Sequence, residues 1–148
     1  MIRRQKALLK DVVVVITFTA IAVLVMTNLK HWVNRSDTMR AMEQLGRKVL
    51  KYRQVNGLLP SASHVAGIKK EVEGGVWLGE LQYRALWIDF ESTPDEILAY
   101  TEKDYHSSLV SDGYVVLRLD GRVEWMGKKE FKELLAQQGE FESKTVRD

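Results

Sequence analysis

From Val12 to Leu29 the chain runs eighteen residues without a charged side chain, through Ile16, Phe18, Ile21, Leu24 and Met26. As an α-helix rising about 1.5 Å per residue, this run is roughly 27 Å long, close to the thickness of a bilayer's hydrocarbon core. No other stretch could span. A buried core helix would need apolar partners on every side, and the rest of the chain is too polar to surround it. A cleaved secretory signal is the sharper rival, since Arg3, Arg4, Lys6 and Lys10 form a cationic start and Ala20-Ile21-Ala22 is a small-x-small sequence. Val23, Leu24, Val25 and Met26 follow, so the apolar run does not end where cleavage would put it. An uncleaved membrane anchor is the better reading.

A short basic N-terminus before a single span places that end in the cytoplasm and the larger C-terminal part across the membrane. The bias is modest, because Lys30, Arg35 and Arg40 follow the run closely. Residues 1 to 11 carry four basic and one acidic side chain, net +3; residues 30 to 53 carry seven and two, net +5; residues 54 to 148 carry eleven and seventeen, net −6. The basic stalk thus lies against the membrane and the acidic part away from it, an order suited to anionic headgroups or to a neighbouring copy's head. The simpler reading is a solvated helix with ordinary charges. With 148 residues and no cysteine, the chain has room for one globular head, without disulfides, zinc ribbons or thiol chemistry.

Beyond the run, Met39, Met42, Leu45, Val49 and Tyr52 recur at three- and four-residue spacing among charged residues, the pattern of one amphipathic helix. Nothing breaks it from the anchor, so a single helix is predicted from about Leu8 to about Val55, stopped by Asn56-Gly57 and Pro60. The expected division is a basic N-terminus (1–11), a transmembrane helix (12–29), a stalk helix (30–57), an α+β head (58–140) and a mobile tail (141–148). Residues 58–75 read as a loop with at most a helical turn. Val76-Trp77-Leu78, Leu81 to Phe90 and Ile97 to Tyr100 read as strands. The clearest element is a hairpin, Tyr114–Leu119 and Arg122–Met126, around Asp120-Gly121. A two-residue Asp-Gly turn predicts Val116 opposite Trp125 and Arg118 opposite Val123, with Val115, Leu117, Leu119 and Met126 on the other face. A last helix is predicted from Lys128, with Phe131, Leu134 and Leu135 on its apolar face.

The order of a hydrophobic N-terminal helix, an amphipathic extension, Tyr52-x-x-x-Asn56-Gly57-x-x-Pro60 and a small antiparallel sheet resembles the type IV pilins and type II secretion pseudopilins. The run Thr93-Pro94-Asp95-Glu96-Ile97-Leu98-Ala99-Tyr100, then His106, then Val115 to Trp125 around Asp120-Gly121, resembles a prepilin-type domain with a His…Asp-Gly signature. Together they cover most of the chain. The resemblance implies an α+β, pilin-like fold: a long N-terminal helix on a small antiparallel sheet, closed by a short C-terminal helix. It implies a structural subunit of a secretion or pilus-type machine in the bacterial inner membrane, N-terminus cytoplasmic and head periplasmic or otherwise extracytoplasmic. The family's peptidase site carries a glycine, an aromatic and a glutamate, and those positions fall here on Lys6, Ala7 and Asp11. Asp11 inherits the glutamate's implied role in meeting a neighbouring subunit, against the plainer reading of a helix N-terminal acid interacting with the dipole. Thirteen residues separate His106 from Asp120 where the family usually has nine, and the histidine often found after Asp-Gly is Arg122.

His31, His64 and His106 lack metal-ligand spacing, and no serine, histidine and acid form a nucleophile motif, so no catalysis is expected. Asp104, Asp112 and Asp120 flank the hairpin; a calcium site resembling that of some major pseudopilins is one reading of them, and solvated turn carboxylates the favoured one. Trp32 is expected at a bilayer interface, and Trp77, Trp87 and Trp125 in the core or covering the sheet. The expected partners are the membrane and other pilin-like subunits or secretion-machine proteins, with no nucleic acid and no cofactor. The alternative is an unprocessed membrane-tethered binding or adaptor domain that does not polymerise.

Overall fold

The computed structural model describes residues 2–74, 76–85, 88–89, 91–107, 109–138 and 144–146. A single helix, α1 (Ile2–Asn56), runs through both the apolar and the amphipathic segment without interruption. It ends where the sequence predicts: Gly57 takes φ +74° and donates its N–H to the Arg53 carbonyl at 2.8 Å, a left-handed C-cap that glycine adopts without Cβ strain. In the outer half, Met42, Leu45 and Val49 are completely buried, so the three- and four-residue spacing is the face that meets the head. Gly46 lies on that face, and a Cβ there would come within 2.7 Å of Leu117 Cδ1. The missing side chain lets the helix close onto the sheet.

The head is an α+β unit in which five antiparallel strands take the order β4-β3-β2-β1-β5. These are β1 (Leu81–Tyr83), β2 (Ile97–Lys103), β3 (Gly113–Arg118), β4 (Val123–Gly127) and β5 (Lys144–Val146). One face packs on the outer half of α1, burying Val115, Leu117 and Leu119 with Met42, Leu45 and Val49. The other is covered by α3 (Lys128–Gln137), whose Phe131 packs with Ile97, Val116 and Met126. Tyr114 stacks on Phe131 at 4.0 Å between ring centroids, and Tyr100 lies 4.7 Å from it. An irregularity between Ile97 and Ala99 in β2 turns both Leu98 and Ala99 toward the α1 side.

Several expectations are corrected. The 58–75 stretch is a three-turn helix, α2 (Ala62–Val72), started by Ser61, whose hydroxyl accepts the His64 N–H, and held to the core by Val65 and Ile68. Val76-Trp77-Leu78 is not a strand. Its backbone is satisfied by side chains, with Leu78 N–H donated to Glu73 Oε1 at 2.7 Å and the Leu78 carbonyl accepting Thr101 Oγ1 at 2.8 Å. Trp77, expected in the core or covering the sheet, is exposed instead, with the Lys103 ammonium 5.3 Å from its ring centroid, while Trp125 covers the sheet; Trp87 lies outside the described residues. Within the expected mobile tail, Lys144–Val146 pairs with β1 as an edge strand.

The hairpin turn is also corrected. Both centres of a two-residue Asp-Gly turn need positive φ, but among the two only Gly121 has it, at +91°. The Gly121 N–H reaches the Arg118 carbonyl at 3.0 Å and the Arg118 N–H reaches the Arg122 carbonyl at 2.8 Å. This is a three-residue loop, Leu119-Asp120-Gly121, with a glycine bulge. The added residue shifts the register by one, pairing Val115 with Trp125 and Leu117 with Val123. Trp125 thereby shares a face with Val115 and Leu117, against α1, and Met126 shares one with Val116, beneath α3, whereas a two-residue turn groups Trp125 with Val116 and Met126 with Val115 and Leu117.

Candidate membrane-anchoring and assembly surface

The described part of α1 includes one helix long and apolar enough to cross a membrane, and its most apolar window has none of its residues buried against the rest of the protein. Val12, Ile16, Phe18, Ile21, Leu24, Met26 and Leu29 all face outward, exposed by half or more. Their polar neighbours are satisfied inside the helix. Thr17 Oγ1 donates to the Val13 carbonyl and Thr19 Oγ1 to the Val15 carbonyl, each at 2.8 Å. Thr27 Oγ1 donates to Val23 and Leu24, and Asn28 Nδ2 to the Leu24 carbonyl at 2.7 Å. Backbonding of this kind removes the cost of taking hydroxyl and amide donors into hydrocarbon. A helix needs no backbone partner from outside, so this one meets the requirements of an apolar solvent at every position from 12 to 29.

Asp11 is exposed on α1, just before this segment. Because the helix already begins at Ile2, Asp11 lies more than two turns inside it, beyond the reach of the N-terminal dipole. The plainer reading of Asp11 as a dipole-stabilised N-terminal acid is therefore corrected.

On the other side, the helix leaves the apolar segment directly into contact with the head. Ser107 Oγ donates to Asn28 Oδ1 at 2.8 Å, and the His31 ring meets Tyr105 edge-on at 5.4 Å between centroids. The Arg35 guanidinium sits 4.2 Å from the centroid of the Trp125 ring, a cation–π contact beneath β4. Burial there lowers the Arg35 pKa from its ordinary value, against an opposing effect of Tyr105. Trp32, one turn beyond Asn28, is 66% exposed. The stalk and head are thus joined right up to the end of the apolar segment, without a bare stretch of helix between them.

The structure separates the three aspartates. Asp104 and Asp112 lie beside Lys128, whose ammonium is 2.6 Å from Asp104 Oδ1, 3.1 Å from Glu102 and 4.0 Å from Asp112. Hydrogen bonds from Lys128 to Asp104 and Glu102 raise its pKa well above the ordinary lysine value. A protein cation fills the centre of that cluster, and no group of acids or histidines suited to a metal occurs among the described residues. Asp120 is at the opposite end of β3, hydrogen-bonded to Arg122.

At that far end the structure joins Pro94-Asp95 to Asp120-Gly121. Leu119 N–H donates to the Glu96 carbonyl at 2.8 Å and Asp120 N–H to the Pro94 carbonyl at 3.1 Å. Arg122 pairs with both Asp95 and Asp120, and the Asp95 carbonyl accepts Arg118 and Gln138. Pro94-Asp95 and Asp120-Gly121 form one hydrogen-bonded corner, seated on the stalk where Gly121 approaches Leu50. Gln138 had no sequence signal; its amide closes the corner only because α3 ends there. No protein-family model, curated protein or solved structure matches this chain.

Proposed function

We propose that the protein is a single-pass, N-terminally anchored structural subunit, similar to a pseudopilin, of a type II secretion or type IV pilus-like machine. The observation that carries this reading is α1: one unbroken helix whose outer half is the core of the head and whose inner half offers an uncovered apolar surface. In a membrane, residues 12–29 are solvated by lipid, with the basic N-terminus in the cytoplasm and the head on the periplasmic side of a bacterial inner membrane. In an assembly, the same surface packs laterally against the helices of other subunits, and Asp11 meets a neighbour's N-terminal amine.

A second reading is favoured by Lys6, Ala7 and Asp11 standing where the peptidase site would be. In it the chain keeps its first residues and serves as a membrane-tethered binding or adaptor domain that does not polymerise. The intact mass of the protein extracted from its native membrane separates the two. Loss of residues 1 to 6 supports the filament subunit, and a full-length mass supports the tethered domain. Loss through Ala22 would sink the anchor and both readings with it.

A further inference from the structure

The head reaches the end of the apolar segment through the loop joining β2 to β3. Ser107 holds it there, its hydroxyl donating to Asn28 Oδ1 at 2.8 Å while accepting the Leu109 and Val110 N–H groups at 3.2 and 3.4 Å. Asn28 is one residue from the last apolar position, Leu29, so the loop is fixed at the level where α1 would leave the hydrocarbon. Two residues along the loop Leu109 is 75% exposed, and on α1 Trp32 and Val33 are exposed about one turn beyond Asn28, with Lys30 between.

The loop's charge pattern is as unusual as its position. Residues 105 to 111 contain no Asp, Glu, Lys or Arg, in a head that otherwise carries net negative charge. The acids at its two ends are paired, Asp104 with Lys128 at 2.6 Å and Asp112, whose Oδ1 accepts the Tyr105 N–H at 2.7 Å. Between them the loop carries exposed Leu109 and no Asp, Glu, Lys or Arg, and Trp32 is exposed on α1 one turn beyond Asn28. Amphipathic aromatics, apolar tips and flanking lysines are what the boundary between headgroups and acyl chains accommodates.

We infer that the β2–β3 loop is a second, interfacial contact with the bilayer, in which Leu109 enters the headgroup–acyl boundary beside Trp32. The head then rests on the membrane surface instead of standing off it on a free stalk. This inference rests on the membrane-anchor reading of α1.

The absence of cysteine makes the test direct. Single-cysteine variants Val23→Cys, Leu109→Cys and Leu58→Cys of the full-length protein carry a nitroxide in phosphatidylcholine–phosphatidylglycerol vesicles. Collisions with oxygen and with a water-soluble nickel chelate then report depth. The label at Val23 should be shielded from nickel, the one at Leu58 open to it, and the one at Leu109 several-fold less accessible to nickel than Leu58. Equal nickel access at Leu109 and Leu58, with Val23 shielded, would overturn the interfacial contact and leave the anchor standing. Nickel access at Val23 would remove the anchor and the inference together. Shielding at Leu109 that disappears as lipid is added in excess would assign the loop to a second copy and overturn the lipid contact. Adding Ser107→Ala to the Leu109→Cys protein should raise nickel access, and unchanged access would overturn the role given to the Ser107–Asn28 bond.

Discussion

The two halves of α1 are equally helical and oppositely solvated. From Val12 to Leu29 apolar side chains project all round and none is buried; from Thr38 to Leu50 a single stripe is buried and the charged residues between face outward. The difference lies in periodicity, because a stripe can be satisfied by one sheet, whereas a helix apolar on every side needs an apolar medium. The helix is the same object in both halves. What each half asks of its surroundings is not.

Substitutions that remove apolar volume should expose this contrast most strongly. Leu45 is fully buried against the sheet, and Leu45→Ala should cost about 2–5 kcal/mol, the range for truncating a large core side chain and leaving a cavity. Val14 is exposed, and Val14→Ala should change the same transition by no more than about 0.5 kcal/mol. Urea unfolding of the full-length protein in detergent micelles, followed by near-ultraviolet circular dichroism, measures both. Equal losses would mean that the inner half is also packed within the protein. Ile21→Arg reverses the contrast: a charge at the centre of the apolar segment should oppose membrane insertion by about 2.5–3.5 kcal/mol while leaving the head's unfolding unchanged. Membrane fractionation checks it, and undiminished recovery in the membrane fraction would break the anchor reading.

Both halves of α1 were legible because their signals are long: eighteen uncharged residues and a stripe repeated over several turns survive any local ambiguity. The α+β layout and the C-terminal helix followed from similarly extended patterns. What escaped was decided by single residues. Ser61 caps α2 with one hydrogen bond, a signal present in the sequence as Ser after Pro with Val65 and Ile68 three apart. The hairpin's faces turned on whether Asp120 takes positive φ, a choice that depends on Pro94 and Glu96 holding the turn from another part of the chain. The level of the β2–β3 loop was illegible, since the Asn28–Ser107 bond joins residues 79 apart with no pattern linking them.

The upper end of the stalk offers a sharper probe of how the outer half is held. Tyr83, 3% exposed on β1, donates its hydroxyl to the Pro60 carbonyl at 2.9 Å, tying the chain just beyond α1 to the sheet. Tyr83→Phe leaves that buried carbonyl without its donor and should cost about 1–3 kcal/mol in the same unfolding experiment. Burial pushes the Tyr83 pKa well above the ordinary tyrosine value. The folded protein therefore keeps this proton where the unfolded chain loses it. Its contribution is complete below about pH 10, the ordinary tyrosine value, and is lost as pH rises from there through the raised folded value. Burial also raises Tyr105 and Tyr114, whose effects have the same sign. Lys103, lowered by desolvation against an opposing Glu73, acts in the opposite sense. The Phe variant should flatten the alkaline decline without abolishing it, and an unchanged slope would show that Tyr83 is not desolvated on folding.

The smallest expected effect tests the corner that seats the head on the outer stalk. In a two-residue turn, Asp120→Gly would relieve strain by placing glycine at a position requiring positive φ, and the protein would gain stability. In the three-residue loop Asp120 has no such requirement, and Gly121 alone supplies the left-handed residue. The variant should then lose about 0.5–1 kcal/mol through added unfolded-state freedom. It also removes the carboxylate that accepts the Arg122 N–H at 2.9 Å. Slight burial raises the Asp120 pKa, but the hydrogen bonds and charge of Arg122 outweigh it and hold it below the ordinary value. That contribution is present above the ordinary aspartate pKa of about 3.9 and disappears as pH falls through the lower folded one. Wild type and Asp120→Gly should therefore converge in strong acid, apart from the backbone cost. A variant more stable than wild type at neutral pH would show that Asp120 occupies a position requiring positive φ and restore the two-residue turn, with Trp125 opposite Val116.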